Sequence, residues 1–269
     1  MKFSVLMSLY RNEAPAHLHA CLASLAAQTL PADDIVLVYD GALPAALEAV
    51  VQSFQAALPL QIVRLPHNVG LGRALNQGLP HCRHEWVMRM DTDDICLPQR
   101  FAQQCTHIQA HPDLDLLGGQ IAEFEQQPQQ QQHSRQVPLG HDEICRFARR
   151  RNPFNHMAVA YRKTAVAAAG GYRHHLYMED YNLWLRMLAA GARSANLPHT
   201  LVLARTGQAM LLRRRGRVYV ASEWQLARLK HRLHFQAALP ALYYFALRAL
   251  PRLLPAGLLG AVYRILRTQ

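Results

Sequence analysis

The order in which short apolar runs and longer amphipathic stretches follow one another restricts this chain more than any other feature. Residues 4–9, 34–38, 61–65 and 86–90 are short runs dominated by β-branched and other apolar side chains, the length of buried strands. Between them, residues 15–28, 43–57 and 71–82 carry apolar side chains three and four positions apart, which is the spacing of one helix face. A β-α-β-α-β-α-β order calls for a parallel sheet with helices on both faces, because each strand must return over the sheet through its helix. The expected fold class is therefore α/β. Such sheets bind ligands in the crevice outside the carboxyl ends of their strands. Polar residues fall at those ends: Tyr10 and Glu13 after the first strand, Asp40 after the second, Asn68 and Gly70 after the third, and Asp91 to Asp94 after the fourth.

Beyond this unit, the glutamine-rich run 126–132 cannot pack in a core and reads as a surface loop. Residues 141–151 read as a helix ending in a basic cluster, 157–161 as a strand, 180–190 as a helix closed by Gly191, and 200–204 as a returning strand. From Arg217 the pattern is helical and basic, broken by Pro240, Pro251 and Pro255. This divides the chain into an α/β domain, 1–215, and a basic amphipathic helical tail, 216–269.

Charge follows the same division. Of the 29 Lys and Arg and 18 Asp and Glu, residues 1–207 hold 18 and 17, whereas 208–269 hold 11 and 1. Of the net charge of +11, +10 thus lies in residues 208–269. There Leu250, Leu253, Leu254, Leu258, Leu259, Val262, Ile265 and Leu266 interleave with arginines, a pattern suited to lying on an anionic membrane surface. No apolar stretch reaches the roughly 18 residues of a spanning helix, since Arg248, Arg252, Arg264 and Arg267 interrupt it. The apolar N-terminus lacks a cleavage site and reads as a strand rather than a signal peptide. The five cysteines, odd in number and without Cys-x-x-Cys spacing, read as reduced thiols. The expected location is cytoplasmic, peripheral on the inner face of the membrane.

The sharpest chemical signal is Asp91-Thr92-Asp93-Asp94. Three carboxylates in four positions repel unless a cation neutralises them, and hard oxygen ligands suit Mg²⁺ or Mn²⁺ bridging to a diphosphate. A helix N-terminus would use one such carboxylate, not three. Taken alone, Glu179-Asp180 also reads as a helix cap, and His156 as an ordinary core or surface histidine. His107 and His111 share a helix face but have no third ligand at zinc spacing. Asn68-Val69-Gly70-Leu71-Gly72 is a weak phosphate-cradle signal by itself.

In order, these pieces resemble the family 2 inverting glycosyltransferases of the GT-A (Rossmann-like) fold. The matching residues are Ser4 to Glu13, Gln28-Thr29, Val38-Tyr39-Asp40-Gly41, Asn68-Val69-Gly70-Leu71, Ala74-Leu75-Asn76-Gln77-Gly78, Asp91-Thr92-Asp93-Asp94, Arg100, Asn155-His156, Gly170-Gly171-Tyr172 and Glu179 to Trp184. Together they span about residues 2 to 230, and the chain looks most like members that build surface polysaccharide on a polyprenyl diphosphate carrier. The resemblance implies that Ser8, Tyr10, Glu13, Asp40, Asn68 and Gly70 bind a nucleotide-sugar, UDP- or dTDP-linked. It further implies that Asp91, Asp93 and Asp94 hold the metal and ribose, with Asp93 the foremost metal ligand, and that Asp180 is the general base. Asn155, His156, Glu179 and Trp184 would shape the acceptor side. The polysaccharide synthases' Gln-x-x-Arg-Trp motif is absent, which favours transfer of a single sugar. The strand-two end reads Asp40-Gly41-Ala42-Leu43 where many members have a double aspartate, so one nucleotide contact would be missing or supplied elsewhere.

Two rivals fit less well. A sugar nucleotidyltransferase would want a glycine-rich loop after the first strand, and Tyr10-Arg11-Asn12-Glu13 has no glycine. A basic adaptor would leave the acidic strand ends unused, and those carboxylates would repel a nucleic acid, so none is expected as partner.

Overall fold

The computed structural model describes residues 1–206 and 216–249. Its strands are β1 (Phe3–Leu9), β2 (Asp34–Tyr39), β3 (Leu60–Arg64), β4 (Trp86–Arg89), β5 (Ile95–Cys96), β6 (Leu116–Phe124), β7 (Gln131–Arg135), β8 (Ala160–Arg162) and β9 (Ser194–Arg205). The helices are α1 (Pro15–Ala26), α2 (Ala45–Ser53), α3 (Leu71–Gly78), α4 (Arg100–Ala110), α5 (His141–Ala148), α6 (Lys163–Ala168), α7 (Glu179–Ala189), α8 (Gly216–Arg232) and α9 (Ala238–Ala249). The strands form one sheet in the order β3-β2-β1-β4-β8-β6-β9-β5, with β7 added beside β6.

The expected parallel unit is present as β3-β2-β1-β4. β8 then runs antiparallel to both β4 and β6, while β6 and β9 pair in parallel. Both faces of β1, β2 and β4 are covered, which is why these strands read as near-continuous apolar runs, whereas β3 at the edge stays partly exposed. On β1, Phe3, Val5, Met7 and Leu9 face one core with α1, α2 and α4, and Leu6 faces the other with α3 and α7. At the end of α3, a Cβ on Gly78 would lie 2.4 Å from Val38 Cγ2 and 2.8 Å from Leu6 Cδ1. Only glycine lets the helix press this closely on the sheet.

One expectation is revised. The glutamine run is not all loop: Gln131 opens β7, which pairs antiparallel with β6, so the ladder takes up part of a polar sequence at an edge. The helical stretch after residue 216 begins with α8, which buries Tyr219, Ser222, Glu223, Leu226 and Lys230. Arg213, Arg214, Arg215 and the apolar run from Leu250 lie outside the described residues. Among the described residues, no helix is long and apolar enough to cross a membrane.

Candidate active site

The carboxyl ends of β1, β2 and β4 open on one cavity of about 950 Å³, at the upper end of the roughly 300–1,000 Å³ of small-molecule sites. Ser8, Tyr10, Glu13, Asp40, Asn68, Gly70, Asp91, Asp93, Asp94 and Glu179 all line it. Asp40 is buried and doubly employed. Its Oδ1 accepts the Val69 N–H at 2.7 Å, and its Oδ2 accepts the Gly70 N–H at 3.1 Å and Asn68 Nδ2 at 3.0 Å. It therefore holds the turn that begins α3 while facing the cavity. The following residue, Gly41, has φ +88°, and a Cβ there would meet Asn68 N at 2.8 Å.

At the end of β4, Arg89 is fully buried and its Nη1 lies 2.5 Å from Asp91 Oδ1. Asp91 thus already has a cation. Glu13 Oε2 accepts the Thr92 hydroxyl at 2.8 Å, tying the end of β1 to the acidic run. Asp94 is buried; its Oδ1 accepts the Arg205 N–H at 2.7 Å, and its Oδ2 has no partner. Burial, reinforced by the Asp91 and Glu13 carboxylates, pushes Asp93 up to about 7. Burial with the Asp91 and Asp93 charges raises Asp94 well above the ordinary range. Both shifts describe carboxylates short of positive charge.

Glu179 and Asp180 begin α7 and diverge. Glu179 is on the cavity wall, and burial followed by the charge of Asp180 pushes it up to about 7. Asp180 turns toward the end of α5, where its Oδ2 accepts Asn152 Nδ2 at 2.6 Å. Burial raises its pKa, and its hydrogen bonds from the Tyr181 N–H and Asn152 pull the other way.

The other acceptor-side candidates sit behind the wall. Asn155 is buried and donates through Nδ2 to Gly119 O at 2.9 Å. His156 is half-buried, hydrogen-bonded to the Tyr172 hydroxyl at 3.0 Å, and burial holds its pKa well below the usual value. Trp184 is fully buried, edge-on to Phe154 and His156. α7 runs along the covered face of the sheet, so one turn past its N-terminus a side chain is already in the core. Trp184 supports His156 and does not line the cavity.

The cavity also holds residues that motif reading passed over: Arg73 on α3, Arg205 at the end of β9, Glu125, and the loop residues His174 and Tyr177. Arg205 carried no spacing signal, and its place follows only from β9 running back beside β5. In all, seven carboxylates line the cavity with two arginines. Among the described residues no three His, Cys, Asp or Glu side chains converge to cage an ion unaided, and His107 and His111 merely stack at 4.2 Å. Mg²⁺ and its like, however, bind through one or two carboxylates together with substrate phosphates. The partnerless Asp94 Oδ2 and the charge-starved Asp93 fit such a shared site.

A family model described as glycosyl transferase family 2 matches residues 4–171. An uncharacterised glycosyltransferase of Haemophilus influenzae is 52% identical, over 98% of each chain. The amylovoran biosynthesis glycosyltransferase AmsE of Erwinia amylovora is 48% identical over 97% of each chain. A UDP-Gal:alpha-D-GlcNAc-diphosphoundecaprenol beta-1,3-galactosyltransferase of Escherichia coli is 33% identical over 98% of this chain and 95% of that one. Among solved structures, residues 1–349 of S. aureus TarS with UDP-GlcNAc superpose with a TM-score of 0.69 at 21% identity, covering 92% of this chain and 72% of that one. The Pyrobaculum calidifontis mannosyltransferase PcManGT, in complex with GDP-Man and Mn²⁺, gives 0.64 at 19%, covering 100% of this chain and 81% of that one. These two likenesses show the GT-A fold.

Proposed function

The chain belongs to glycosyl transferase family 2, and from that premise we propose that it transfers one sugar, with inversion, from a UDP-sugar to a saccharide carried on a polyprenyl diphosphate in bacterial surface polysaccharide assembly. The observation that carries this reading is the cavity's charge: seven carboxylates against two arginines. Such a wall repels a bare anion but accepts a diphosphate that arrives with a divalent cation. The amylovoran enzyme and the enzyme that acts on diphosphoundecaprenol, both similar over nearly the whole chain, support the acceptor class.

Ser8, Tyr10, Glu13 and Asp40, with the Asn68 and Gly70 turn, receive the nucleotide, and Asp93 and Asp94 hold Mg²⁺ or Mn²⁺ beside Asp91. When bound, the metal neutralises charge developing on the departing diphosphate, a Lewis-acid role. Glu179, on the wall, shapes the acceptor side of the cavity. Asp180, turned to the acceptor side and steadied by Asn152, takes the proton of the attacking hydroxyl. A single displacement from the face opposite the diphosphate inverts the anomeric carbon. The acceptor's lipid carrier places the enzyme on the inner face of the membrane, with the basic C-terminal region against anionic lipid.

Calorimetry with UDP and dTDP, with and without Mn²⁺, tests the donor site. UDP should bind in a Mn²⁺-dependent way that Asp93→Ala abolishes. Metal-independent binding, or none, would overturn the reading. Transfer to a synthetic polyprenyl-diphosphate sugar, with the product's anomeric configuration read by NMR, tests acceptor and inversion.

A further inference from the structure

The last described helix carries an uncovered apolar face. On α9, Leu239, Leu242, Tyr243 and Leu247 are 81%, 53%, 60% and 50% exposed, and steps of three and four align them along one side. The other side is fixed. Ala241 and Ala249 are buried, and Phe245 packs edge-on against Trp224 at 5.1 Å. Arg248 grips the buried Glu223 of α8 through Nε and Nη2, each at 2.8 Å. The stripe therefore points outward on a helix that cannot roll over to hide it.

A basic cluster adjoins the stripe. Arg149, Arg150 and Arg151 follow α5, all are exposed, and none forms an ion pair among the described residues. Lys230 Nζ and Gln236 Nε2 donate to Arg149 O at 3.0 and 2.6 Å, and Arg248 Nη1 donates to Arg150 O at 3.2 Å. The Arg150 guanidinium lies over the Tyr244 ring, 5.5 Å from its centre. Arginines and stripe are thus parts of one rigid surface. A nucleic acid would match the charge but offers no apolar phase, whereas an anionic bilayer offers headgroup phosphates and acyl chains side by side.

We infer that the α9 stripe and Arg149, Arg150 and Arg151 form a docking face for an anionic lipid bilayer. Its position gives it a purpose, which rests on the function proposed above. Arg151 is followed by Asn152, whose side chain holds Asp180, so the lipid-facing arginines lead directly to the carboxylate that would meet a lipid-borne hydroxyl.

The test is co-sedimentation of the full chain with vesicles of phosphatidylcholine, alone or mixed with phosphatidylglycerol. The wild type should pellet with the mixed vesicles only. Leu242→Glu with Leu247→Glu should weaken binding about tenfold or more, and Arg149→Glu with Arg151→Glu should weaken it and flatten its salt dependence. Each variant should still bind UDP with Mn²⁺ as the wild type does, showing an intact fold. Undiminished vesicle binding by both pairs would overturn the inference and assign docking to residues beyond 249. So would a wild-type dimer that Leu242→Glu with Leu247→Glu splits while vesicle binding stays unchanged, because the stripe would then be a subunit interface. Absence of UDP binding in the wild type would defeat the catalytic reading and leave the vesicle result standing by itself.

Discussion

At the scale of single residues, the acidic run is not three equivalent ligands. Arg89 occupies Asp91, while Asp93 and Asp94 are left electrostatically unsatisfied. In metal-free protein the folded state keeps the Asp93 proton to about pH 7, whereas the unfolded chain releases it near the ordinary value of about 3.9. Between those limits the folded state binds more protons, so this group lowers stability as pH rises, by up to about 1.4 kcal/mol per pH unit. Urea unfolding in EDTA should therefore show Asp93→Asn gaining on the wild type as pH is raised through that window, with Mn²⁺ erasing the difference. The proposed base, Asp180, has a different signature. Asp180→Asn should cut kcat by about 10²–10⁴ while UDP binding by calorimetry is unchanged. The Asn152 hydrogen bond favours ionised Asp180, so its loss in Asn152→Ala raises the pKa further and should move the acid limb of the kcat profile to higher pH. The carboxylates were legible in the sequence because several sit together at strand ends. Arg89, Arg73 and Arg205 were not, because a lone arginine in an apolar or helical run carries no spacing, and Trp184 misled because its neighbourhood in sequence is not its depth in the fold.

At the scale of elements, the first half was legible because each strand there is a short, largely apolar run bounded by turn residues, with β1, β2 and β4 buried on both sides. β1, β2, β3 and β4 fall within a residue or so of the apolar runs at their positions. β6 escaped notice because Gly118-Gly119-Gln120 interrupts its pattern. The reason is packing: a Cβ on Gly118 would lie 2.1 Å from Asn196 Oδ1, and one on Gly119 2.3 Å from Leu201 Cδ1. β9 was seen only in its second half, since the parallel register with β6 skips from Gly119 opposite Leu197 to Gln120 opposite Thr200 and leaves Pro198 and His199 out of the ladder. The turn after β2 makes a sharper demand. Gly41→Ala must accept a positive φ and a close approach to Asn68 N, and should cost about 1–3 kcal/mol in chemical denaturation. Because Asn68 borders the turn proposed to receive the nucleotide, it should also weaken UDP binding.

At the scale of the whole molecule, charge is sorted: acid lines the cavity, and base gathers toward the C-terminal helices. Chelation should consequently affect ligands by their charge. With EDTA, calorimetric affinity for UDP should collapse, whereas uridine, which brings no phosphate to the carboxylates, should lose little. The same sorting shows in Glu223, the single acidic residue among 208–269. It is buried and spent on Arg248, so α8 and α9 offer no exposed carboxylate to offset their positive charge. A particle built in this way has an electrical bow. Near a negatively charged sheet it feels a torque before it feels a contact, and at physiological salt that torque acts over about the last 8 Å of approach. Collisions that begin askew are turned before they end, so correct landing becomes a matter of steering more than of repeated trial.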